Sequence, residues 1–331
     1  MPSSRGSRFS YFVLFACVAL MLFATTSIAG PTKIAIANFG EHPVLNDVIS
    51  GIKEGLATAG YTEGSNVEFV ESHTNFDATL VPQMISKLLA DKPDLMISIT
   101  TPVSQTAKKA LQGTGIPLVF STVTDPVAAK LTPSWDSGDK NVTGVSDLQD
   151  MEAVFAFIRK LLPEAKSVGF PYNPGEDNDV ALLEKVKTLA PKSGFTVVAV
   201  GVDNPNDIPV RIQFLRKKVD VIYVSGSNLL QSAAPAIAST AQQMGVPTIS
   251  VNLDHVEKGF FLAAFAVDYH KVGVKTGEVA AQILSGRKPV EIAPYRLSYE
   301  EHVPMINMAL LKKLNIPLPD ALKACDCFVS Q

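Results

Sequence analysis

The feature that most constrains the fold is a regular alternation of short apolar segments with longer segments of helical periodicity. In the segment that begins at Pro43, Val44, Val48, Ile52 and Leu56 recur at the spacing of one helix face. Such an alternation indicates a parallel sheet that is covered by helices on both faces. In the first half of the chain we predict strands at 33–37, 67–70, 94–99 and 117–120, and helices at 43–59, 80–89 and 103–111.

The same alternation begins again after a polar stretch that ends near Ser146. Two series of similar length predict the α/β class, with two Rossmann-like lobes that each contain a parallel sheet. We expect residues 30–146 and 269–290 in lobe 1, and residues 147–268 and 291–331 in lobe 2. The second series predicts strands at 167–170, 196–200, 219–224, 247–250 and 261–267, and helices at 152–162, 180–190, 208–218, 229–244, 272–284 and 306–314.

Residues 1–29 have the pattern of an export signal. Arg5 and Arg8 precede an apolar run at 11–24, and small residues follow up to Ala29. We therefore predict cleavage after Ala29 and a periplasmic mature protein. An uncleaved membrane anchor would need a longer apolar run. A lipoprotein signal at Cys17 is disfavoured because the apolar run before it is short and continues past the cysteine.

Composition and cysteine spacing exclude several classes of function. Hydrophobic residues make up 47% of the chain and the net charge is -3, so the chain is globular and we expect no nucleic-acid partner. One residue separates Cys325 from Cys327, a spacing too tight for an easy disulfide. We therefore expect free cysteines in a tail segment without a catalytic role, with a redox role as the alternative. Two thiols alone do not make a zinc site. We expect neither a metal nor a cofactor.

Ligands of open parallel sheets bind beyond the carboxyl ends of the strands, which directs attention to the loops there. Most of these loops carry hydroxyl, amide or carboxylate groups, as a small ligand with polar and charged ends would require. Any one of these side chains is also a common helix cap. The ligand-binding candidates are Phe39, Glu41, His42, Thr101, Ser104, Ser121, Thr122, Asp125, Tyr172, Asn173, Glu176, Ser225, Asn228 and Asp254.

Motifs of the main enzyme classes with this alternation do not occur in the sequence. The loop after the first strand has a single glycine, at Gly40, and lacks the pattern G-x-G-x-x-G. The chain also lacks a Walker lysine loop, a G-x-S-x-G elbow and a His-Glu-x-x-His motif. We therefore predict a binding protein without catalytic residues.

Several segments together resemble one known family. The matching segments are Glu41-His42-Pro43, 99–102, 119–126, 141–147, 172–176 and Asp268-Tyr269. With these segments the chain resembles the tryptophan/tyrosine-type ABC transporter substrate-binding proteins, which are type 1 periplasmic binding proteins. The resemblance implies a bilobed clamp with three crossings between lobes, which we expect near Ser146, near Asp268 and at 289–294.

The resemblance also implies partners and a ligand. Its members deliver a small molecule to a membrane permease driven by an ATPase, and the implied ligand is an aromatic or other hydrophobic amino acid. We expect the protein to be a monomer. One departure is that Gly226-Ser227 precedes Asn228, where the family pattern has an acidic residue. This departure leaves the ligand open, and a periplasmic sensor that signals to a membrane receptor would have the same fold and site.

Overall fold

The apolar segments of the first series form a six-stranded sheet in which every pairing is parallel. The computed structural model describes residues 30–330, so the predicted signal, its cleavage site at Ala29 and Cys17 lie outside the described residues. The strand order is β11-β5-β4-β3-β1-β2. The strands are β1 (Thr32–Asn38), β2 (Val67–His73), β3 (Leu95–Ile99), β4 (Leu118–Ser121), β5 (Val142–Ser146) and β11 (Tyr295–Arg296).

The second series forms a seven-stranded sheet. Its order is β13-β12-β10-β9-β8-β6-β7, and its pairings are parallel except for the antiparallel pairing of β10 with β12. The strands are β6 (Ser167–Tyr172), β7 (Thr196–Gly201), β8 (Val221–Val224), β9 (Thr248–Ser250), β10 (Ala263–Val267), β12 (His302–Asn307) and β13 (Phe328–Val329). The predicted α/β class with two sheet-based lobes is confirmed, although the second sheet is mixed at one edge.

Helices connect the strands and cover both sheets. In the first lobe they are α1 (Pro43–Thr58), α2 (Val81–Ala90), α3 (Thr101–Ala110) and α10 (Tyr269–Leu284). In the second lobe they are α4 (Met151–Leu161), α5 (Asp177–Leu189), α6 (Ile208–Gln213), α7 (Asn228–Ser232), α8 (Ala234–Met244), α9 (Leu253–Glu257) and α11 (Met308–Lys313). Short 3-10 turns lie at Ala78–Leu80, Ala190–Ser193, Pro205–Asp207, Pro289–Glu291, Tyr299–Glu301 and Asp320–Leu322. Within residues 30–330, no helix is both long and apolar enough to cross a membrane.

The alternating direction of side chains along the buried strands explains why helices pack on both faces of the first sheet. In β3, Leu95 and Ile97 pack into the cluster that contains α1 and α10. The intervening Met96 packs on the opposite face, with α2 and α3. Successive side chains of a strand point to opposite faces, so a strand that is covered on both sides is apolar throughout. The sheet therefore has a core on each side.

Three predicted helices differ from the structure. The helix predicted at 208–218 ends at Gln213. The helix predicted at 229–244 is broken at Ala233 into α7 and α8. Pro235 follows the break, and a proline removes a helical N–H and clashes with the carbonyl four residues earlier. The helix predicted at 306–314 begins only at Met308, because Ile306 pairs with Ala263 in the antiparallel ladder of β10 and β12.

The chain changes lobe after β5, after β10 and before β12. The first two changes follow Ser146 and Val267. The third lies between Arg296, whose strand pairs with β5, and His302, whose strand pairs with β10. This position is a few residues later than the segment 289–294 that we expect from the sequence.

The C-terminal cysteines form a disulfide, contrary to our expectation. The single residue between Cys325 and Cys327 leaves their Cα atoms 5.3 Å apart, which is within the range that a disulfide spans. Cys327 is buried in the core of the second lobe. The bridge therefore belongs to the segment that packs the chain end onto this lobe.

Candidate ligand-binding cleft

A cleft lies between the two lobes, at the ends where β1, β3, β4, β8 and β9 finish. It contains about 540 Å³ of space free of protein atoms, part of it open to solvent. Both lobes and the connections between them contribute side chains. The lining residues are His42, Val44, Leu45, Phe76, Thr100, Thr101, Thr122, Thr124, Asp147, Asn178, Gly226, Ser227, Asn228, Gln231, Ser232, Val251, Asn252 and Tyr269.

The first lobe contributes the N-terminus of α3 and two strained threonines. Thr100 precedes the helix with a φ of 79°, and Thr122, which follows β4, has a φ of 51°. A positive φ is rare for a β-branched residue, and such strain is concentrated at functional sites. The backbone N–H of Thr100 donates to Thr122 Oγ1 at 3.2 Å. In the described chain no side chain caps α3, so its first N–H groups and positive dipole end favour an anion.

A buried carboxyl group lies in the connection after β5. Asp147 is only 8% exposed. It accepts hydrogen bonds from Thr124 Oγ1 and from the hydroxyl of Tyr269, each at 3.4 Å. Burial raises the pKa of Asp147 to about 6, and the two hydroxyl donors only partly offset that effect. A ligand cation in the cleft would favour the ionised carboxylate.

The second lobe holds its cleft residues through a network centred on Glu176. The Glu176 carboxylate accepts from the backbone N–H of Asn228 at 3.1 Å and of Leu229 at 3.1 Å. It also accepts from the side-chain amides of Asn228 at 2.7 Å and Asn173 at 3.0 Å. Glu176 therefore caps α7 and is not free to pair with a ligand.

Asp179 adds a second carboxyl group to this network. It is 1% exposed and accepts from the backbone N–H of Asn173 at 2.6 Å. Burial, together with the nearby charge of Glu176, raises the pKa of Asp179. The resulting rigid cluster holds Asn178, which belongs to the same helix turn, at the cleft wall.

An apolar wall faces these polar groups. Val44, Leu45 and Val251 line the cleft together with Phe76. The Phe76 ring packs edge-on against Phe39, with ring centroids 5.5 Å apart. A methyl group built at Gly40 would overlap the Phe76 ring, so the glycine gives this ring its position.

Two histidines meet at the mouth of the cleft. His42 of the first lobe and His255 of the second have ring centroids 5.7 Å apart, edge to face. His42 Nδ1 accepts from the Val44 backbone N–H and so caps α1. Burial lowers the pKa of both imidazoles, that of His255 to about 4. Both rings are therefore neutral near pH 7.

Four of the candidates predicted from the sequence line the cleft: His42, Thr101, Thr122 and Asn228. Each follows the carboxyl end of a strand of the two sheets, where the topology rule directs attention.

The first-lobe candidates outside the lining have partners within the protein. Phe39 packs behind Phe76, and Glu41 is exposed, with His73 Nε2 3.5 Å from its carboxylate. Ser104 donates to the Thr100 carbonyl at 2.7 Å. Ser121 shares a hydrogen bond with Thr276 of α10 at 2.8 Å. The Asp125 carboxylate accepts from the first N–H groups of the next turn and pairs with Lys185 at 3.1 Å.

The second-lobe candidates outside the lining also serve the fold. Tyr172 packs on the core of this lobe, and Asn173 belongs to the network of Glu176. Asp254 pairs with Lys258 at 2.7 Å. The Ser225 carbonyl accepts from Gln231 Nε2 at 2.6 Å, whereas its buried hydroxyl has no partner within residues 30–330.

Sequence reasoning missed Asp147, Tyr269, Asn178 and Gln231. Asp147 and Tyr269 follow β5 and β10, so the strand-end rule applied to those two strands would have found them. No such signal marks Asn178, which lies in α5, or Gln231, which is the fourth residue of the short helix α7.

The two lobes also touch outside the cleft. Gln105 Nε2 of α3 donates to Asp177 of α5 at 2.8 Å, and the ion pair of Asp125 with Lys185 joins the same two sides. With the contact of His42 and His255, these interactions describe lobes that are closed on one another.

Comparison with known proteins identifies the family. A model described as "ABC transporter substrate binding protein" matches residues 33–326. The chain belongs to this family of ABC transporter substrate-binding proteins. Among curated relatives of the family, a tyrosine-binding protein from Clostridioides difficile (strain R20291) is 32% identical over 284 residues, which cover 86% of this chain and 81% of the relative.

Solved structures of similar proteins agree with the family and the fold. A conserved domain protein from Vibrio cholerae is 33% identical with a TM-score of 0.85, and the match covers 90% of this chain and 99% of that one. An ABC domain in complex with L-Trp from Streptococcus pneumonia is 31% identical with a TM-score of 0.84, over 91% of this chain and 100% of that one.

A third solved structure differs in conformation. The ligand-free, open structure of a substrate-binding protein with adhesive properties from Clostridium difficile is also 31% identical, over 91% of this chain and 99% of that one, but its TM-score is 0.70. The two solved structures have equal identity to the present chain, which superposes better on the complex with L-Trp than on the open structure. This agrees with the contacts between the lobes of the present chain.

Proposed function

We propose that the protein is the exported substrate-binding component of an ABC importer and that its ligand is an aromatic amino acid. One observation carries the proposal. The buried carboxyl group of Asp147 and the uncapped N-terminus of α3 lie in one cleft between the lobes. An amino acid carries an ammonium and a carboxylate on the same carbon atom, so it needs both kinds of partner close together.

Each part of such a ligand has a matching surface. The α-carboxylate binds the first N–H groups of α3 and the hydroxyl of Thr101, because helix N-termini favour anions. The ammonium pairs with Asp147. The aromatic ring packs on Phe76, Leu45 and Val251, which form the apolar wall of the cleft.

The relatives support the choice of ligand. One is a tyrosine-binding protein and another is a complex with L-Trp, so L-tyrosine and L-tryptophan are the first candidates. The loop that lacks the acidic residue of the family pattern passes close to Asp147. A methyl group built at Gly226 would lie 3.8 Å from Asp147 Oδ2 and 3.9 Å from the Tyr269 hydroxyl. Asp147 is therefore the carboxyl group available to a ligand beside this loop.

The proposal extends to cellular context. The mature monomer begins after Ala29, captures its ligand in the periplasm and delivers it, unchanged, to a membrane permease driven by an ATPase. Closure of the lobes over the ligand distinguishes loaded from empty protein for the permease. No catalytic role is assigned to any residue.

A thermal-shift screen of the twenty amino acids, several sugars and nucleosides tests the proposal. A ligand that binds only the native state stabilises it by about 2.7 kcal/mol at one hundred times its Kd. We expect L-tyrosine or L-tryptophan to raise the melting temperature, and Asp147→Asn to reduce that increase. A rise produced by a sugar or nucleoside and by no amino acid would overturn the proposal.

A further inference from the structure

Two amide side chains of the second lobe line the cleft with their NH2 groups already committed to the protein. Asn178 Nδ2 donates to Glu176 at 3.3 Å and to Asp179 at 3.2 Å. Gln231 Nε2 donates to the Ser225 carbonyl at 2.6 Å. Glu176 and the Ser225 carbonyl are acceptors, so rotating either amide by 180° would bring its oxygen against another oxygen. The orientation of both groups is therefore fixed.

The carbonyl oxygens of these two amides, in contrast, are not hydrogen-bonded within residues 30–330. Asn178 Oδ1 and Gln231 Oε1 are buried and have no hydrogen-bond partner in the described part of the chain. Asn178 as a whole is only 5% exposed. Buried polar atoms in native proteins are nearly always paired, and leaving one unpaired is unfavourable. Two unpaired acceptors in one cleft indicate that a hydrogen-bond donor of the ligand completes them.

We propose that Asn178 and Gln231 are specificity-determining residues, which accept hydrogen bonds from a donor on the ligand side chain. This inference rests on the proposed function. The α-carboxylate is an acceptor and cannot serve an amide oxygen. The donor that we assign to the two oxygens is a phenol O–H or an indole N–H, whose single hydrogen they share. The ammonium has three N–H donors, so binding of L-phenylalanine as tight as that of the other two would assign the oxygens to the ammonium instead.

Selectivity follows from these unpaired acceptors. L-phenylalanine has a ring of the same size as L-tyrosine, but no side-chain donor. Its binding would bury both amide oxygens without partners, and a site built to hydrogen-bond a substrate discriminates against an analogue that lacks the donor. We expect L-phenylalanine to bind about 10- to 100-fold more weakly than the better of L-tyrosine and L-tryptophan.

Isothermal titration calorimetry with the three amino acids tests this inference. The proteins are the wild type, Gln231→Met, Asn178→Leu and the matched control Gln213→Met, which changes an exposed glutamine away from the cleft. We expect both cleft variants to weaken binding of the donor-bearing amino acid and to reduce its advantage over L-phenylalanine to about threefold or less. The control should keep the wild-type ratio.

The outcomes separate the inference from the proposed function. Wild-type binding of L-phenylalanine as tight as that of the other two overturns the inference alone, as does an equal loss for all three amino acids in Gln231→Met. The ratio of the Kd of L-phenylalanine to the Kd of the better donor-bearing amino acid, measured in the wild type, tests the inference even if Asn178→Leu does not fold. Binding of none of the three overturns the proposed function itself.

Discussion

At the residue scale, the cleft is distinguished by a carboxyl group that burial has made unusually basic. The pKa of Asp147 is about 6, above its ordinary value of 3.8, because burial disfavours the charged form. The groups that face it are neutral hydroxyls. Those of Thr124 and Tyr269 donate hydrogen bonds to Asp147. That of Tyr223 is close enough to interact with the charge of Asp147. The raised pKa has opposite consequences for the free protein and for the complex.

The free native protein binds a proton at Asp147 more tightly than the unfolded chain does, so this group's contribution to stability is lost as pH rises from about 4 through 6. A ligand ammonium reverses the preference, because it pairs with the ionised carboxylate. Ligand binding should therefore strengthen as pH rises through about 6.

The prediction is an affinity for the aromatic ligand about tenfold weaker at pH 5 than at pH 7, measured by calorimetry. In Asp147→Asn the affinity should be lower at pH 7 and should vary little between these values. His42 and His255 also lie at the cleft, and the same variant separates their titration from that of Asp147. An unchanged pH profile in Asp147→Asn would contradict the assignment.

Residue roles were the least predictable part of the site. Thr122 and Thr101 could be predicted because they follow the carboxyl ends of strands that the sequence indicates clearly. Glu176 and Asp125 follow strands in the same way, yet Glu176 caps α7 and Asp125 pairs with Lys185. Which way a loop carboxylate turns depends on partners far away in sequence, and a loop's own residues do not specify them.

At the element scale, the packing of α1 against α10 connects the fold to the cleft. A methyl group built at Gly55 would overlap the Val274 carbonyl, and one at Gly273 would overlap the Val48 carbonyl. The two helices thus approach so closely that only glycine fits between them. His42 caps the first helix and Tyr269 begins the second, so this contact positions both cleft residues.

We predict that Gly55→Ala and Gly273→Ala each lower the free energy of unfolding by about 1–3 kcal/mol, the usual effect of overpacking. Urea denaturation measures the change. Gly201→Ala is the matched control, because the nearest atoms to a methyl group there are 3.8 Å away, and its stability should be close to that of the wild type. Equal stability of all four proteins would contradict the close packing.

Elements with strong periodicity could be predicted, and the misses have physical causes. The apolar run near Ile306 is short, and periodicity cannot separate a buried strand from a helix in so short a run. Its pairing with β10 decides in favour of a strand. The break at Ala233 is caused by Pro235, which the sequence does contain but which also occurs in the first turn of unbroken helices.

At the scale of the whole molecule, the account requires two lobes that close over a ligand. The two-lobed plan could be predicted from the repeated alternation of strands and helices. The closed arrangement could not, because it depends on contacts between distant segments, such as that of Gln105 with Asp177. These contacts join the two lobes, so they form only when the lobes approach one another.

Small-angle X-ray scattering of the protein with and without its amino acid ligand measures this closure of the lobes. We predict that the radius of gyration falls on saturation, from a value typical of open lobes to the value calculated for the closed structure described above. The matched measurement on Asp147→Asn at the same ligand concentration should show a smaller fall. Identical scattering curves for the wild type, at a ligand concentration that calorimetry shows to be saturating, would contradict the account.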